Sequence, residues 1–404
     1  VPSAVAPLPL VVVGIGADGW SGLTAAARDA LLDAEVVLGG ARHCDLLAGR
    51  LPARLVTHPS PLLPGLDALL ERESGQRLAL LASGDPMFFG IGNSLIRRYG
   101  PTNVQVHSHP SSVSLAAARM GWAVEDTDVV SVVGRPIATV VPYVQPGRRV
   151  LVLVRAPDGA AHLQELVADL GYGRSTIAVL EQLGGPGERI ANDTGPHDAL
   201  AIVAIEIVAD DTTRPLPRTP GLPDDAFAHD GQITKREIRA LVLAALAPVP
   251  GQLLWDVGAG SGSVGIEWMR VHPASRAIAI EPRADRRAGI QTNANALGVP
   301  GLRIVAGAAP AALADLPRPD AVFVGGGVSI PGVIEAGLDA LGVGGRLVAN
   351  AVTVETETVL AGWHALLGGT LTRIAIQRAE PIGGFTGWRP AMPVTQWAYR
   401  KEPV

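Results

Sequence analysis

The acid Asp256 stands two residues ahead of three closely spaced glycines, Gly258, Gly260 and Gly262, in the stretch WDVGAGSGSVGIE, with Ala259 and Ser261 between them. Glycine lets the backbone turn sharply there and lets a ligand approach the amides with no Cβ in the way. Glu281 closes the next apolar run about twenty residues further on, where a carboxylate can accept both hydroxyls of a ribose. A turn that cradles a diphosphate reads G-x-G-x-x-G, whereas this one reads G-x-G-x-G behind an acid. A carboxylate at that place repels a diphosphate and suits a ligand carrying an ammonium and a sulfonium, which describes S-adenosylmethionine. A tight turn with no ligand and a nicotinamide-binding turn are the competing readings.

A second glycine turn comes much earlier, in LPLVVVGIGADGWSGLT, where Gly14, Gly16 and Gly19 follow an apolar run from Leu8 to Val13 that reads as a first buried strand. The spacing is that of a dinucleotide fingerprint, but in a chain with 48 glycines the match alone is weak evidence. The acid that should meet a ribose, Glu35, opens the run EVVLGG instead of closing it, so it falls at the wrong edge of a sheet. Two companions change the picture. LASGDPMFFGIG ends a strand in Ser83, Gly84 and Asp85, which can offer backbone amides and a carboxylate to a cationic ligand. HPSSVSLAAARMGW opens a helix at Ser111 and Ser112, which either cap it or touch that ligand. After the strand DAVFVGG the chain reads FVGGGVS and lacks the Asn-or-Asp-Pro-Pro-aromatic catch, which argues against an amine as methyl acceptor.

Such motifs need strands that end at them and helices that start after them. Up to about Val208, strand-length apolar runs (VVVG, EVVLGG, RLALLASG, NVQVHS, DVVSVVG, RRVLVLV, STIAVLEQ, ALAIVAIEIV) alternate with helical segments such as LTAAARDALLDA. ADDTTRPLPRTPGLPDD, with four prolines, follows neither period and reads as a linker. Beyond it, consecutive βα units from TKREIRALVLAALAP to GGRLVAN predict a parallel sheet with right-handed crossovers. The two halves differ in segment length and order, so they are not a tandem repeat.

Composition bounds the partners. A chain of 404 residues, 48% hydrophobic, supports two cores. The net charge of -5 and an aromatic content of 4% speak against nucleic acid, which is held by a basic field and by stacking platforms. Cys44 is the only cysteine, so the chain holds no intrachain disulfide and no thiolate-rich metal site, and no metal is expected. No apolar run has the length of a membrane span and the first residues lack a secretory pattern, so the expectation is a soluble, cytoplasmic protein.

GIGADG with Leu23 and Thr24, SGDPMFFGIG, PSSVSLAAARMGW and VLEQLGGPGERI resemble the tetrapyrrole methylases, in particular the CbiE-type precorrin C-methyltransferases. DGQITKREIRA, WDVGAGSGSVGIE, GAAPAAL and NAVTVET resemble the CbiT type. In this order in one chain they are similar to the CobL-type family of decarboxylating precorrin methyltransferases of cobalamin biosynthesis. The resemblance implies an α/β fold with an N-terminal two-lobed tetrapyrrole methylase domain over 8–209, a Pro-rich linker over 210–225 and a C-terminal Rossmann-like class I methyltransferase domain over 226–404. It implies S-adenosylmethionine held in the first half by Ser83, Gly84, Asp85, Phe88, Ser111 and Ser112, with a looser match around Arg155 and Leu183. In the second half the cofactor positions fall on Thr234, Asp256, Gly258 to Gly262, Glu281 and Ala309. Gly14 and Gly16 then line a macrocycle site in the cleft between two lobes instead of holding a nucleotide. One departure stands out: the family usually has Gly-Asp-Ala-Pro where this chain reads Gly307, Ala308, Ala309, Pro310, so adenine recognition falls to backbone groups or another side chain.

The implied activity is methylation of carbons 5 and 15 of a precorrin with loss of carbon dioxide from the acetate on carbon 12. A sulfonium is already activated and the bridging carbons of a reduced tetrapyrrole are enamine-like, so the protein mainly aligns them and excludes water. The conjugated ring is the electron sink for decarboxylation, and no single side chain is assigned as catalytic. A substrate rich in carboxylates calls for arginines at the clefts: Arg135, Arg236, Arg239 and Arg389 are the candidates, against the plainer reading of solvated faces or surface ion pairs. His229 reads as a surface histidine that could move a proton, Cys44 as a buried helix residue. Rival readings are an NAD(P)-dependent two-domain oxidoreductase and a regulatory binding protein with a degenerate pocket. Association into a homo-oligomer is expected.

Overall fold

The computed structural model describes residues 9–58, 62–155, 157–198 and 201–403. Leu8 of the first apolar run, and Ala199 and Leu200 of the run ALAIVAIEIV, lie outside the described residues. The chain divides into two compact units: residues up to Ile137 together with Pro146–Thr213, and Ala138–Gln145 together with residues from Arg214 onward.

The first unit has two sheets. Strands β1 (Leu10–Ile15), β2 (Val36–Gly39), β3 (Arg54–Thr57), β4 (Leu78–Ser83) and β5 (Val104–His107) lie in the order β3-β2-β4-β1-β5, all parallel. β1 and β2 are apolar runs with no alternation, as strands covered on both faces must be. The helix Ala25–Asp33 begins where Thr24 caps it, its hydroxyl accepting from the Ala27 N–H. The second sheet contains β6 (Thr127–Ser131), β7 (Arg149–Val154), β8 (Thr176–Glu181), β9 (Arg189–Ala191) and β10 (Ala201–Glu206) in the order β6-β7-β10-β8-β9. Here only β6 and β7 run parallel; β10 is antiparallel to both its neighbours.

The second unit is built on β11 (Leu253–Val257), β12 (Arg276–Glu281), β13 (Arg303–Ala306), β14 (Ala321–Val324), β15 (Arg346–Ala351), β16 (Thr370–Ile374), the hairpin of β17 (Gln377–Ile382) with β18 (Phe385–Pro390), and β19 (Val394–Arg400). The seven-stranded sheet has the order β13-β12-β11-β14-β15-β19-β16. Its first five strands are parallel, as the βα rhythm predicts, whereas β19 and β16 pair antiparallel. Strand order reverses between β11 and β14, and the crevice beyond the carboxyl ends of such a pair is where open parallel sheets take ligands.

From Arg214 on the proline-rich stretch packs into the second unit: Leu222 is buried in the core, and Gly221 and Leu222 donate their N–H groups to Glu267. One expectation changes here. Arg239 does not face a cleft. It is fully buried, with Nε 2.6 Å from Glu267 Oε1, Nη1 2.5 Å from the Thr234 carbonyl and its fork also bonded to the Leu222 carbonyl. A buried guanidinium needs a carboxylate and carbonyls on every donor, and this one has them. Arg239→Ala is expected to cost about 3–5 kcal/mol of folding stability, because Glu267 is left buried without its cation. Chemical denaturation of the full chain checks this, and a loss under about 1 kcal/mol would reject the role.

Candidate functional site

The carboxyl ends of β11, β12 and β14 meet in a backbone crush. A Cβ on Gly258 would lie 2.9 Å from the Gly326 nitrogen, and one on Gly262 2.8 Å from the Ile290 side chain. Gly258, Gly260 and Gly262 all have positive φ, at 71°, 59° and 75°, a region closed to most L-residues. The amides of Gly258 and Ala259 donate to the Ile280 carbonyl, so they shape the turn. Gly260 N–H donates to Glu281 Oε2 at 2.9 Å and Arg283 N–H to Glu281 Oε1 at 3.1 Å, which orients that carboxylate at the strand end. Each carboxylate oxygen keeps further acceptor capacity for a hydroxyl.

Asp256 lies inside the turn and accepts from Gly265 N–H at 2.9 Å. Burial drives its carboxyl up to about 7, the Gly265 bond pulls the other way, and the nearby Glu281 charge adds to the rise. An acid poised there gains most from a cationic neighbour.

Two cavities share Gly258 and Gly326 in their walls. The smaller, about 100 Å³, is an apolar slot between Val257, Ile280, Pro282, Ala309, Ile330 and Val333. The larger, about 450 Å³, is bounded among others by Thr234, Lys235, Asp256, Phe323, Asn350 and Arg378. Ser261 Oγ is buried with no hydrogen-bond partner among the described residues. A turn with no room for Cβ atoms, an oriented carboxylate, an apolar slot and an orphan hydroxyl fit an adenosyl ligand with a charged tail. In the slot the side chain at Ala309 offers no acceptor, so base recognition rests on shape and backbone.

In the first unit, β1 and β4 end against each other. A Cβ on Gly14 would lie 2.2 Å from the Gly84 carbonyl oxygen and 2.8 Å from the His109 nitrogen. Gly84 N–H donates to the Ile15 carbonyl, so this amide is consumed by the fold and is not offered to a ligand. Ser83 Oγ is 2.9 Å from His43 Nε2, and burial, aided by Arg42 and His58, pushes His43 down to about 4, leaving a neutral imidazole beside the loop. Asp85 accepts from Met87 N–H and Ser108 Oγ. Ser111 caps the helix Ser112–Met120 by accepting from Ser114 N–H, and a Cβ on Gly84 would lie 3.7 Å from the Ser112 nitrogen. Ser83 to Asp85 and the Ser111–Ser112 pair are therefore neighbours, and Phe88 is exposed beside them in edge contact with Phe89.

The arginine candidates separate. Arg135 and Arg236 are exposed, and Arg389 is exposed on β18 in an ion pair with Glu380 at 2.9 Å. Lys235, Arg286 and Arg378, which sequence reasoning missed, line the larger cavity, each beside an acid: Asp224, Asp230 and Glu237. His229 lies in a surface loop, its Nδ1 accepting from Gly231 N–H, and Cys44 is buried in the helix Ala41–Leu47. Sequence reasoning also passed over Asp18 and His109, which meet across 91 residues of chain. Among the described residues no His, Cys, Asp or Glu group could hold a metal ion, and no helix is long and apolar enough to cross a membrane.

Residues 9–197 match the model of the tetrapyrrole (corrin/porphyrin) methylases and residues 225–401 that of the precorrin methyltransferase domain. A Mycobacterium tuberculosis protein named precorrin-6Y C(5,15)-methyltransferase [decarboxylating] is 47% identical over 97% of this chain and 100% of its own length. A Pyrobaculum calidifontis protein named probable cobalt-precorrin-6B C(15)-methyltransferase (decarboxylating) is 35% identical over 44% of this chain and 93% of its own. These relatives are methyltransferases, and the oxidoreductase reading has no support among them. A Sinorhizobium precorrin-6Y C(5,15)-methyltransferase [decarboxylating] is 51% identical over 99% of this chain and 98% of its own, and the chain belongs to that family.

Proposed function

We propose that the chain methylates carbons 5 and 15 of a precorrin from S-adenosylmethionine and removes carbon dioxide from its C12 acetate, in cobalamin biosynthesis. The observation that carries this is the buried acid behind the glycine turn, with Glu281 oriented beside it, in a chain alike over its whole length to proteins named for that reaction. The relative that spans 44% of this chain bears both C(15) and decarboxylating in its name, which supports placing those two steps in one unit. We assign them to the second unit and carbon 5 to the first.

S-adenosylmethionine, when bound, supplies an electrophilic methyl group. In the second unit Glu281 would hold its ribose, the slot at Ala309 its base, and Asp256 with the turn its charged end. In the first unit Ser83 to Asp85, Phe88 and the Ser111–Ser112 pair would hold it. Lys235, Arg286 and Arg378 are placed to exchange their acid partners for substrate carboxylates, which anchors a polyanion despite the net charge of -5. Phe323, Val352 and Met392 would set apolar surface beside the bridging carbon while it is methylated. A small anionic macrocycle as partner, no nucleic acid or membrane, a cytoplasmic setting and a homo-oligomer complete the reading.

Mass spectrometry after incubation with a reduced precorrin and S-adenosylmethionine should show two methyl groups gained and one carboxyl lost. Glu281→Ala should stop at one methyl with the carboxyl retained; an unchanged product would refute the division between units. Asp256 also sets a pH dependence. Its carboxyl is neutral below about 7 and ionised above, and a cationic ligand favours the ionised form. Calorimetry with S-adenosylmethionine should therefore show affinity at the second site rising with pH through about 7 and falling by up to about tenfold per unit below it. Asp256→Asn, which keeps an acceptor for Gly265, should flatten that dependence.

A further inference from the structure

The larger cavity of the second unit carries a polar pair that neither the fold nor the cofactor reading uses. Asn350 lines that cavity from the carboxyl end of β15, and Gln396 lies opposite it on β19. By the alternation of strands they share a face with Val348 on β15 and Val394 on β19, both buried in the apolar core. Amides are costly in such a face unless they are bonded, and these bond to each other: Gln396 Nε2 donates to Asn350 Oδ1 at 3.2 Å. Gln396 is 6% exposed and stands outside the cavity wall, so it holds Asn350 from behind. Asn350 Nδ2, with two N–H donors, has no acceptor among the described residues, and unlike Ser261 Oγ it is not sealed from solvent. The wall supplied by the end of β15 and the residues leading into β19 is uncharged: Asn350, Val352, Ala391, Met392 and Val394. The cations of the cavity come from other elements and already stand beside acids, Lys235 ahead of the helix Arg236–Leu246, Arg286 on the helix Ala284–Ala296 and Arg378 on β17. β15 is two strands from β11, which sets Asn350 roughly 10 Å across the sheet from the acid-headed turn.

We propose that Asn350 seats the carboxylate that is lost, that of the C12 acetate, and that Gln396 is its positioning residue. The proposal rests on the assignment of carbon 15 and the decarboxylation to the second unit. Carbon 12 belongs to the pyrrole ring that adjoins carbon 15, so one pose that sets carbon 15 at the methyl donor over β11 sends the acetate toward β15. A neutral amide suits the chemistry there better than a cation. The bond between the carboxylate and the methylene carbon breaks, its pair enters the conjugated ring and carbon dioxide leaves; the pair then returns to the methylene carbon, which takes a proton from water and becomes a methyl group. A guanidinium or an ammonium would stabilise the charge that has to be given up. The N–H donors of Asn350 instead hold the breaking bond upright on the ring, where it overlaps the π system, and the apolar neighbours leave the carboxylate poorly solvated.

The test uses the full chain, S-adenosylmethionine, a precorrin with carbon-13 in the carboxyl of its C12 acetate, and three variants: Asn350→Leu, Asn350→Lys and Gln396→Leu. Asn350→Leu, close in size, should slow the release of labelled carbon dioxide by about 10–100-fold, while carbon-5 methylation and S-adenosylhomocysteine binding at the second site stay as in the unaltered chain. Asn350→Lys should lower KM for the precorrin and lower kcat for carbon dioxide release further than Asn350→Leu does, because a cation anchors the carboxylate and retains its charge. Gln396→Leu, which frees the amide to turn, should lower kcat with KM little changed. Three results overturn the proposal: labelled carbon dioxide released at the unaltered rate in Asn350→Leu, a raised KM or an undiminished kcat in Asn350→Lys, or a loss of S-adenosylhomocysteine affinity that parallels the loss of release, which makes the amide pair structural. A failure of the unaltered chain to release labelled carbon dioxide at all is a separate result and removes the functional assignment itself.

Discussion

At the carboxyl edge of each parallel sheet there is no room for a Cβ. Gly14 against Gly84 in the first unit and Gly258 against Gly326 in the second bring backbone onto backbone at the ends of adjacent strands. Such approach is open only to glycine, and it draws the loops that follow the strands into one small volume. The same device serves different ends: behind Gly258 it leaves a turn bordered by two cavities, and behind Gly16 it leaves a cup already filled by Asp18 and His109.

Buried charge is the second theme. In the second unit Arg239 and Glu267 tie the helix Arg236–Leu246 to the helix Ser263–Val271, and the same arginine holds the Thr234 carbonyl. This ion pair thus fixes the loop from Gln232 to Lys235 that walls the larger cavity. Asp256 is the opposite case, an acid in the core that accepts a backbone N–H and, among the described residues, has no cation beside it. A pair satisfied within the protein stabilises the wall; an acid left without a cation is ready for one brought by a ligand.

Much of this was legible in the chain. The apolar runs without alternation announced parallel strands, and the acid, the glycines and Glu281 fell at the ends of predicted strands because β11 and β12 are short, regular and, apart from Arg276, buried. The strands after Asn350 were not legible. β17 and β18 are exposed along most of their length, so no hydrophobic period marks them, and Arg378 enters the cavity wall from a hairpin with no core-facing side. Arg239 was misjudged because its partner is 28 residues away, on another helix.

The sequence by itself determined which strands are buried, where glycine must stand and that an acid heads the second turn, because these follow from local periodicity and from the steric demands of one residue. Only the tertiary structure decided which charges are spent inside the protein and which face a cavity. Asp18 and His109 meet because β1 and β5 are neighbours in a sheet, a pairing that brings together residues 91 apart. Burial and partnership are properties of such long-range neighbours, and no spacing along the chain encodes them.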